Sequence, residues 1–332
     1  MNNEIANMNT QPESYDVPRI LTRKTKRLIF YTLMVALPFA QFLLFYVYVH
    51  FNSIVMAFKI DTVVGDRLVT EYTFLGNFEA VIENFKSDEY IGIINSLKNY
   101  FITFFTSGIF SVFFSYYVYK KFALSGMFKI FLYLPSIISG IILVTIFKEI
   151  VSRVIPEALN ELVYNNEVVV TDLLDPINGD PYTGVLVYYI FMHLGGHILM
   201  YTGAMSGINE SVVESAQLDG VNAIQEFVYI TLPLIYPTFV TFTVTGVAAI
   251  FTAHPNLHTF FGLSNPFAYK IHTVGFLIFA SVRENAQYNS TGKSGLLTLN
   301  QVSALGLMIT AVMLPLTLLL KKYMTKWGPS TN

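Results

Sequence analysis

The chain has 332 residues, of which 53% are hydrophobic, 15% aromatic and only 13% charged, with formal net charge -2 and mean hydropathy +0.52. Soluble domains carry about 25% charged residues, so the polar surface is too small to coat a water-soluble body of this length and a bilayer is the natural solvent. The absence of cysteine excludes disulfides, thiol catalysis and cysteine-ligated metals.

Residues 1–27 are polar, with Pro12 and Pro18 and no apolar stretch that ends in small residues, so they read as a cytoplasmic tail without a cleaved signal peptide. A spanning helix needs about 20 apolar residues. Six stretches qualify between residues 28 and 320: Leu28–Phe51, Leu97–Tyr119, Phe128–Phe147, Gly184–Ile208, Pro233–Ala253 and Leu299–Leu320. The expected fold class is therefore all-α and polytopic. A further run, Thr273–Val282, is too short to span and is expected at an interface or as a re-entrant segment. Residues 321–332 form a second polar tail.

Basic residues near the ends of spans set orientation. Arg23, Lys24, Lys26 and Arg27 precede the first span, Lys120, Lys121 and Lys129 separate the second from the third, and Lys321, Lys322 and Lys326 follow the last. With six spans these clusters share one side, which places both termini in the cytoplasm. The opposite loops are acidic, with Asp61, Asp66 and Glu71 in the first and Glu149, Glu167 and Asp180 in the second. Pro38, Pro135, Pro233, Pro237 and Pro315 fall in or beside spans and read as kinks or gating bends. No strong internal repeat is visible, which argues against a carrier built from inverted halves.

One inner loop breaks the charge pattern. Residues 209–232 hold Glu210, Glu214, Asp219 and Glu226 but no lysine or arginine, which points to a partner surface. Ser211 and Glu214 have the spacing of a capping box. Gly220 after Asp219 is a natural helix stop, a second short helix is expected over Asn222–Tyr229, and Pro233 should open the next span.

These residues resemble the EAA loop of the permease subunits of ATP-binding-cassette (ABC) importers. Glu214, Ser215 and Ala216 occupy the E-A-A positions, Gly220 follows at the family spacing, and Ile230, Leu232 and Pro233 supply the I-x-L-P ending. Asp219 and Phe227 resemble the sugar-importer branch, similar to the maltose and glycerol-phosphate permeases. Leu134-Pro135-Ser136 to Ser139 resembles the third helix of the family core, and Leu194-Gly195-Gly196-His197 the glycine-containing helix before the loop. Gly262-Leu-Ser-Asn265-Pro266 departs from the family's T-x-G-G-P stretch.

The resemblance implies that this chain pairs with a second homologous permease in the cell membrane. Two ATPase subunits would dock on the coupling loops and an extracytoplasmic solute-binding protein would sit above. It implies no enzymatic activity and no cofactor in this chain, with ATP and magnesium held by the ATPase. The cargo expected is a sugar or oligosaccharide; a non-sugar solute, or an ion-coupled carrier, is the alternative. No Asp or Glu falls within the six stretches, which disfavours ion coupling.

Other features have competing readings. Gly292-Lys293-Ser294 imitates the end of a phosphate loop, but Gln287 stands where the first glycine should be. His193 and His197, four apart with Tyr189 on the same face, fit cavity lining that touches substrate, interhelical hydrogen bonding, or a metal pair. His254 and His258 repeat the spacing, yet neither pair has a local carboxylate to complete a zinc set. Gly246, Ala249, Ile250 and Ala253 depart from the polar and aromatic sugar contacts that maltose-type relatives place there, so either the partner permease and the fourth span hold the substrate or it is not a maltose-like sugar. Asn300 and Gln301 read as snorkelling interface residues or an exit lining.

Overall fold

The computed structural model describes residues 22–64, 67–162, 172–175, 177, 179–254, 256–288 and 296–329. Pro12, Pro18, Asp66, Glu167 and the Gly292-Lys293-Ser294 run lie outside them. The chain divides into two compact units, Met1–Val55 and Met56–Asn332. The described part of the first belongs to one long helix, α1 (Arg23–Ala57), whose apolar residues are exposed over 28–51, Leu37 at 78%. Thr22 caps it by accepting from the Thr25 N–H.

The second unit opens with an antiparallel hairpin, β1 (Lys59–Val64) and β2 (Arg67–Tyr72), with Lys59 opposite Tyr72 and Val64 opposite Arg67. The all-α expectation holds for the remainder but missed this pair. A short helix, α2 (Gly76–Asn84), follows, and its Asn77 donates to the carbonyls of Ala57 and Lys59 at 2.9 and 2.7 Å. Then come α3 (Tyr90–Tyr119), α4 (Ser125–Ile137), α5 (Gly140–Leu162), α6 (Pro181–Ser206), α7 (Glu210–Leu218) and α8 (Ala223–Ala248). The unit ends with the short α9 (Leu257–Phe261) and α10 (Asn265–Ala268), then α11 (Val274–Tyr288) and α12 (Leu299–Trp327).

Five described helices are long and apolar enough to cross a membrane, or six if the α4–α5 pair counts as one span. That pair corrects the expected third span, Phe128–Phe147. It is two helices bent by 102° at Ile138, whose extended backbone (φ -77°, ψ 145°) ends α4 before Ser139 starts α5. The short run Thr273–Val282 falls largely in α11, where Phe276 and Ala280 are fully buried. Most of the run is packed inside the unit, with Val282 exposed at its end.

Local chemistry starts several of the helices. Asp180 caps α6 by accepting from the N–H groups of Tyr182 and Thr183, with Pro181 in the first turn, where its missing donor costs nothing. Thr298 and Gln301 form a reciprocal capping box for α12. Gln301 is thus a cap, and Asn300 is 6% exposed and donates to Asp61 Oδ2 at 2.9 Å. Neither snorkels, because both side chains are spent on backbone and hairpin.

Contacts sort the loops into two ends. Lys120 meets Glu226, and the Tyr236 hydroxyl donates to the Met324 carbonyl at 3.0 Å, so the 120 turn, the 209–232 loop and the end of α12 share one end. Asn300 and Asp180, at the starts of α12 and α6, and the hairpin residue Asp61 that Asn300 meets lie away from it, since the spans run the length of the bundle.

Candidate functional site

The 209–232 loop is a helix, a turn and a second helix, as expected, but its start differs. Asn209, not Ser211, is the cap of α7 and accepts from the Ser211 N–H; Glu214 takes no part in a capping box. The reciprocal box belongs instead to Asn222 and Gln225 at the start of α8. Asn at the cap position accepts as well as serine, so the earlier residue wins. The second helix does not end at Tyr229. It widens into a π turn over Phe227–Thr231 and continues into the span, so Pro233 lies inside a helix that begins at Ala223.

Gly220 makes the turn. Its φ is +80°, a conformation that glycine adopts without steric cost. The N–H of Gly220 donates to the Gln217 carbonyl and that of Val221 to the Ala216 carbonyl, each at 3.1 Å. This is the paired closure of a Schellman motif, which satisfies the last carbonyls of α7.

The motif residues divide by direction. Glu214, Ser215, Asp219 and Gly220 are exposed, and so are the apolar side chains of Leu218 (89%), Ile224 (76%) and Tyr229 (75%) beside them. Ala216 and Phe227 are buried, and Ile230, Leu232 and Pro233 are half-buried. Phe227 packs against the rings of Tyr116 and Phe113, with centroids at 4.8 and 5.3 Å, and the Tyr116 hydroxyl donates to the Ala223 carbonyl at 2.8 Å. Glu226 is 2% exposed, and Lys120 Nζ donates to both its carboxylate oxygens at 3.0 and 2.9 Å. The loop without its own basic residue therefore borrows one from the turn after α3. Partner demand is not needed to explain Glu226; it concerns the exposed residues.

A chamber of about 130 Å³ lies between α3, α6 and α8. One wall is Tyr189, His193, His197 and Tyr201 of α6, which recur every four residues and so share a helix face. The facing wall is Ser96, Asn99, Tyr100, Thr103 and Phe104 of α3, and the third is Phe239, Phe242, Gly246, Ala249 and Ile250, with Ala253 beyond. The histidine pair and the small residues of the fifth span thus meet in one cavity. His193 Nδ1 lies 2.9 Å from the Tyr189 carbonyl, and the ring of His197 packs edge-on against Phe242 at 4.9 Å. Thr103 Oγ1 and His197 Nδ1 are buried without a hydrogen-bond partner among the described groups. A Cβ built on Gly246 would come within 3.0 Å of Tyr100 Cε2, so glycine is what lets that ring stand where it does.

The α3 wall escaped the sequence reading. Its signal is a stripe of small polar residues, Ser96, Asn99, Thr103, Ser107, Ser111 and Ser115, three or four apart and all buried. The other histidines do not join the cavity: His254 and His258 pack on Phe279 at 5.0 and 5.6 Å. Among the described residues no three His, Cys, Asp or Glu side chains gather as a metal set.

Comparison with known proteins fits this architecture. Over 92% of its length the chain superimposes on 98% of the corresponding chain of a bacterial ABC transporter involved in the import of the acidic polysaccharide alginate, with TM-score 0.70 and 20% identity. The lactose transport system permease protein of Rhizobium radiobacter is 23% identical over 145 residues, which cover 42% of this chain and 47% of that protein. The arabinooligosaccharides transport system permease protein of Halalkalibacterium halodurans is 27% identical over 92 residues, covering 28% and 29%. The alignment thus spans less than half the length of either relative. Residues 105–324, which include the loop and every wall of the chamber except its α3 side above Phe105, match the family described as binding-protein-dependent transport system inner membrane component, and the chain belongs to that family.

Proposed function

We propose that the chain is one of two membrane-spanning subunits of an ABC importer that moves a sugar or oligosaccharide into the cytoplasm. The observation that carries this reading is the Gly220 elbow. It projects Glu214, Asp219, Leu218 and Ile224 out of the bundle while Phe227 and Glu226 root it in α3. A short, rigidly seated helix with charged and apolar residues side by side suits docking into the groove of another protein. ATPase closure would pull on α7, and the Phe227 and Glu226 anchors would carry the pull into α3 and α8.

The chain then performs no chemistry and holds no cofactor of its own; ATP and magnesium belong to two ATPase partners. A second homologous permease completes the pore, and an extracytoplasmic binding protein delivers cargo. The end that carries Lys120 and the loop is placed in the cytoplasm together with both termini, on the strength of the basic clusters. The sugar assignment draws on the names of the lactose and arabinooligosaccharide relatives and on a chamber rich in aromatic and hydroxyl groups, which stack on and hydrogen-bond to sugar rings. An ion-coupled carrier would need carboxylate ligands in the membrane, and the chamber lining contains none.

The test is uptake by proteoliposomes containing the permease pair with and without its ATPase. Accumulation of sugar that needs ATPase and ATP supports the reading. Accumulation against a gradient with no nucleotide-hydrolysing companion refutes it.

A further inference from the structure

We infer that the chamber between α3, α6 and α8 admits one uncharged sugar ring and rejects an acidic one. This rests on the sugar reading above and narrows it to a cargo class. At about 130 Å³ the space is close to the roughly 150 Å³ of an engineered cavity that holds benzene, so it suits a single six-membered ring and not two.

Its walls decide the charge. The lining offers aromatic faces on two sides, from Tyr189 and Tyr201 to Tyr100 and Phe104, and neutral polar groups between them. No lysine, arginine, aspartate or glutamate is among the lining residues. A carboxylate brought here would lose its hydration with no cation to replace it, which is the costly case of burying a charge.

The histidines sharpen the preference. Because His193 Nδ1 faces the Tyr189 carbonyl at 2.9 Å, that nitrogen carries the proton as a donor, and the other nitrogen of a neutral ring is an acceptor. An acceptor lone pair welcomes a hydroxyl proton and repels a carboxylate oxygen. Asn99, Tyr100 and Tyr201 add neutral polar side chains to the same lining. The chamber is therefore built for a ligand that both donates and accepts without net charge, in contrast to the acidic polysaccharide named for the structurally similar importer.

The experiment is a thermal-shift and calorimetric titration of the assembled transporter, binding protein omitted. The probes are the methyl glycosides of galactose and glucose, each matched with its form oxidised to a uronate at C6. The neutral sugars should bind at least about tenfold more tightly than their uronates, as uncompensated burial of a carboxylate requires. His193→Gln should keep that order, whereas His193→Arg should raise uronate affinity relative to the neutral form. Equal or tighter binding of the uronates overturns the charge inference and leaves the sugar reading standing. Failure of every saccharide to bind an assembled, ATP-hydrolysing complex overturns the chamber inference, and the uptake experiment above decides the sugar reading separately.

Discussion

Lys120, on the turn after α3, and Glu226, in the first turn of α8, form a buried ion pair across 106 residues of sequence, with the closer oxygen at 2.9 Å. A pair so placed is held by two helices and in turn fixes them. Its energy is set less by attraction than by what happens when one member is lost, because the survivor is then a charge without a partner in a dry site.

Replacing Glu226 by Ala or Lys120 by Met should each destabilise the chain by about 3 kcal/mol, the lower end for breaking a buried pair, since Lys120 keeps 18% side-chain exposure. The double variant should recover most of that loss. Thermal unfolding of the three variants in one detergent measures it, and additive losses would show that the two side chains do not interact.

At Gly220 the space that a side chain would enter is open, and only the backbone angle of +80° stands against substitution. Gly220→Val should cost about 1–2 kcal/mol of local strain and abolish uptake while membrane insertion stays normal. Gly220→Asn should retain transport, because asparagine tolerates the left-handed region. Equal defects in both would point to crowding at the docked face and not to the turn.

Leu218 and Ile224 are exposed at 89% and 76%, so exchanging both for Ser should change the chain's own stability by no more than about 0.5 kcal/mol each. The same exchange should release the ATPase during purification. Undiminished co-purification would remove these residues from the docking surface.

Asp180 supplies a pH dependence. Donation from the Thr183 hydroxyl at 2.6 Å holds its carboxyl below the ordinary value; partial burial opposes this, and the N–H groups of Thr183 and Tyr182 add to it. The folded pKa lies below the unfolded one, so the cap's contribution is present above the unfolded carboxylate value of about 3.9. It is lost as pH falls through the depressed folded value. Asp180→Ala should cost about 1 kcal/mol at neutral pH and flatten the fall in unfolding temperature on acidification. An unchanged acid limb would show that this carboxyl is not responsible.

What the sequence showed and hid follows from the range of each interaction. The spans were legible because a run of apolar residues is a local property, and the elbow because Gly220 announces a positive φ. The hairpin was equally local, since two β-rich runs flank Gly65-Asp66, a turn dipeptide, and it was overlooked beside the stronger membrane signal. Pro135 marked a kink in the third stretch, but its size and its place at Ile138 were hidden, because a hydropathy window averages straight across Pro135 and Ser139. The polar stripe from Ser96 to Ser115 was diluted by the phenylalanines between its members. The Lys120–Glu226 pair was beyond reach, since its two halves meet only through the fold.

The close approach of Tyr100 to Gly246 makes the bore of the chamber adjustable from a position that carries no functional group. A single methyl at 246 would displace the phenol, and with it the hydroxyl that donates to the Thr243 carbonyl, while the histidines of the α6 wall kept their places. Girth is thus set between α3 and α8, apart from the polar groups that α6 contributes.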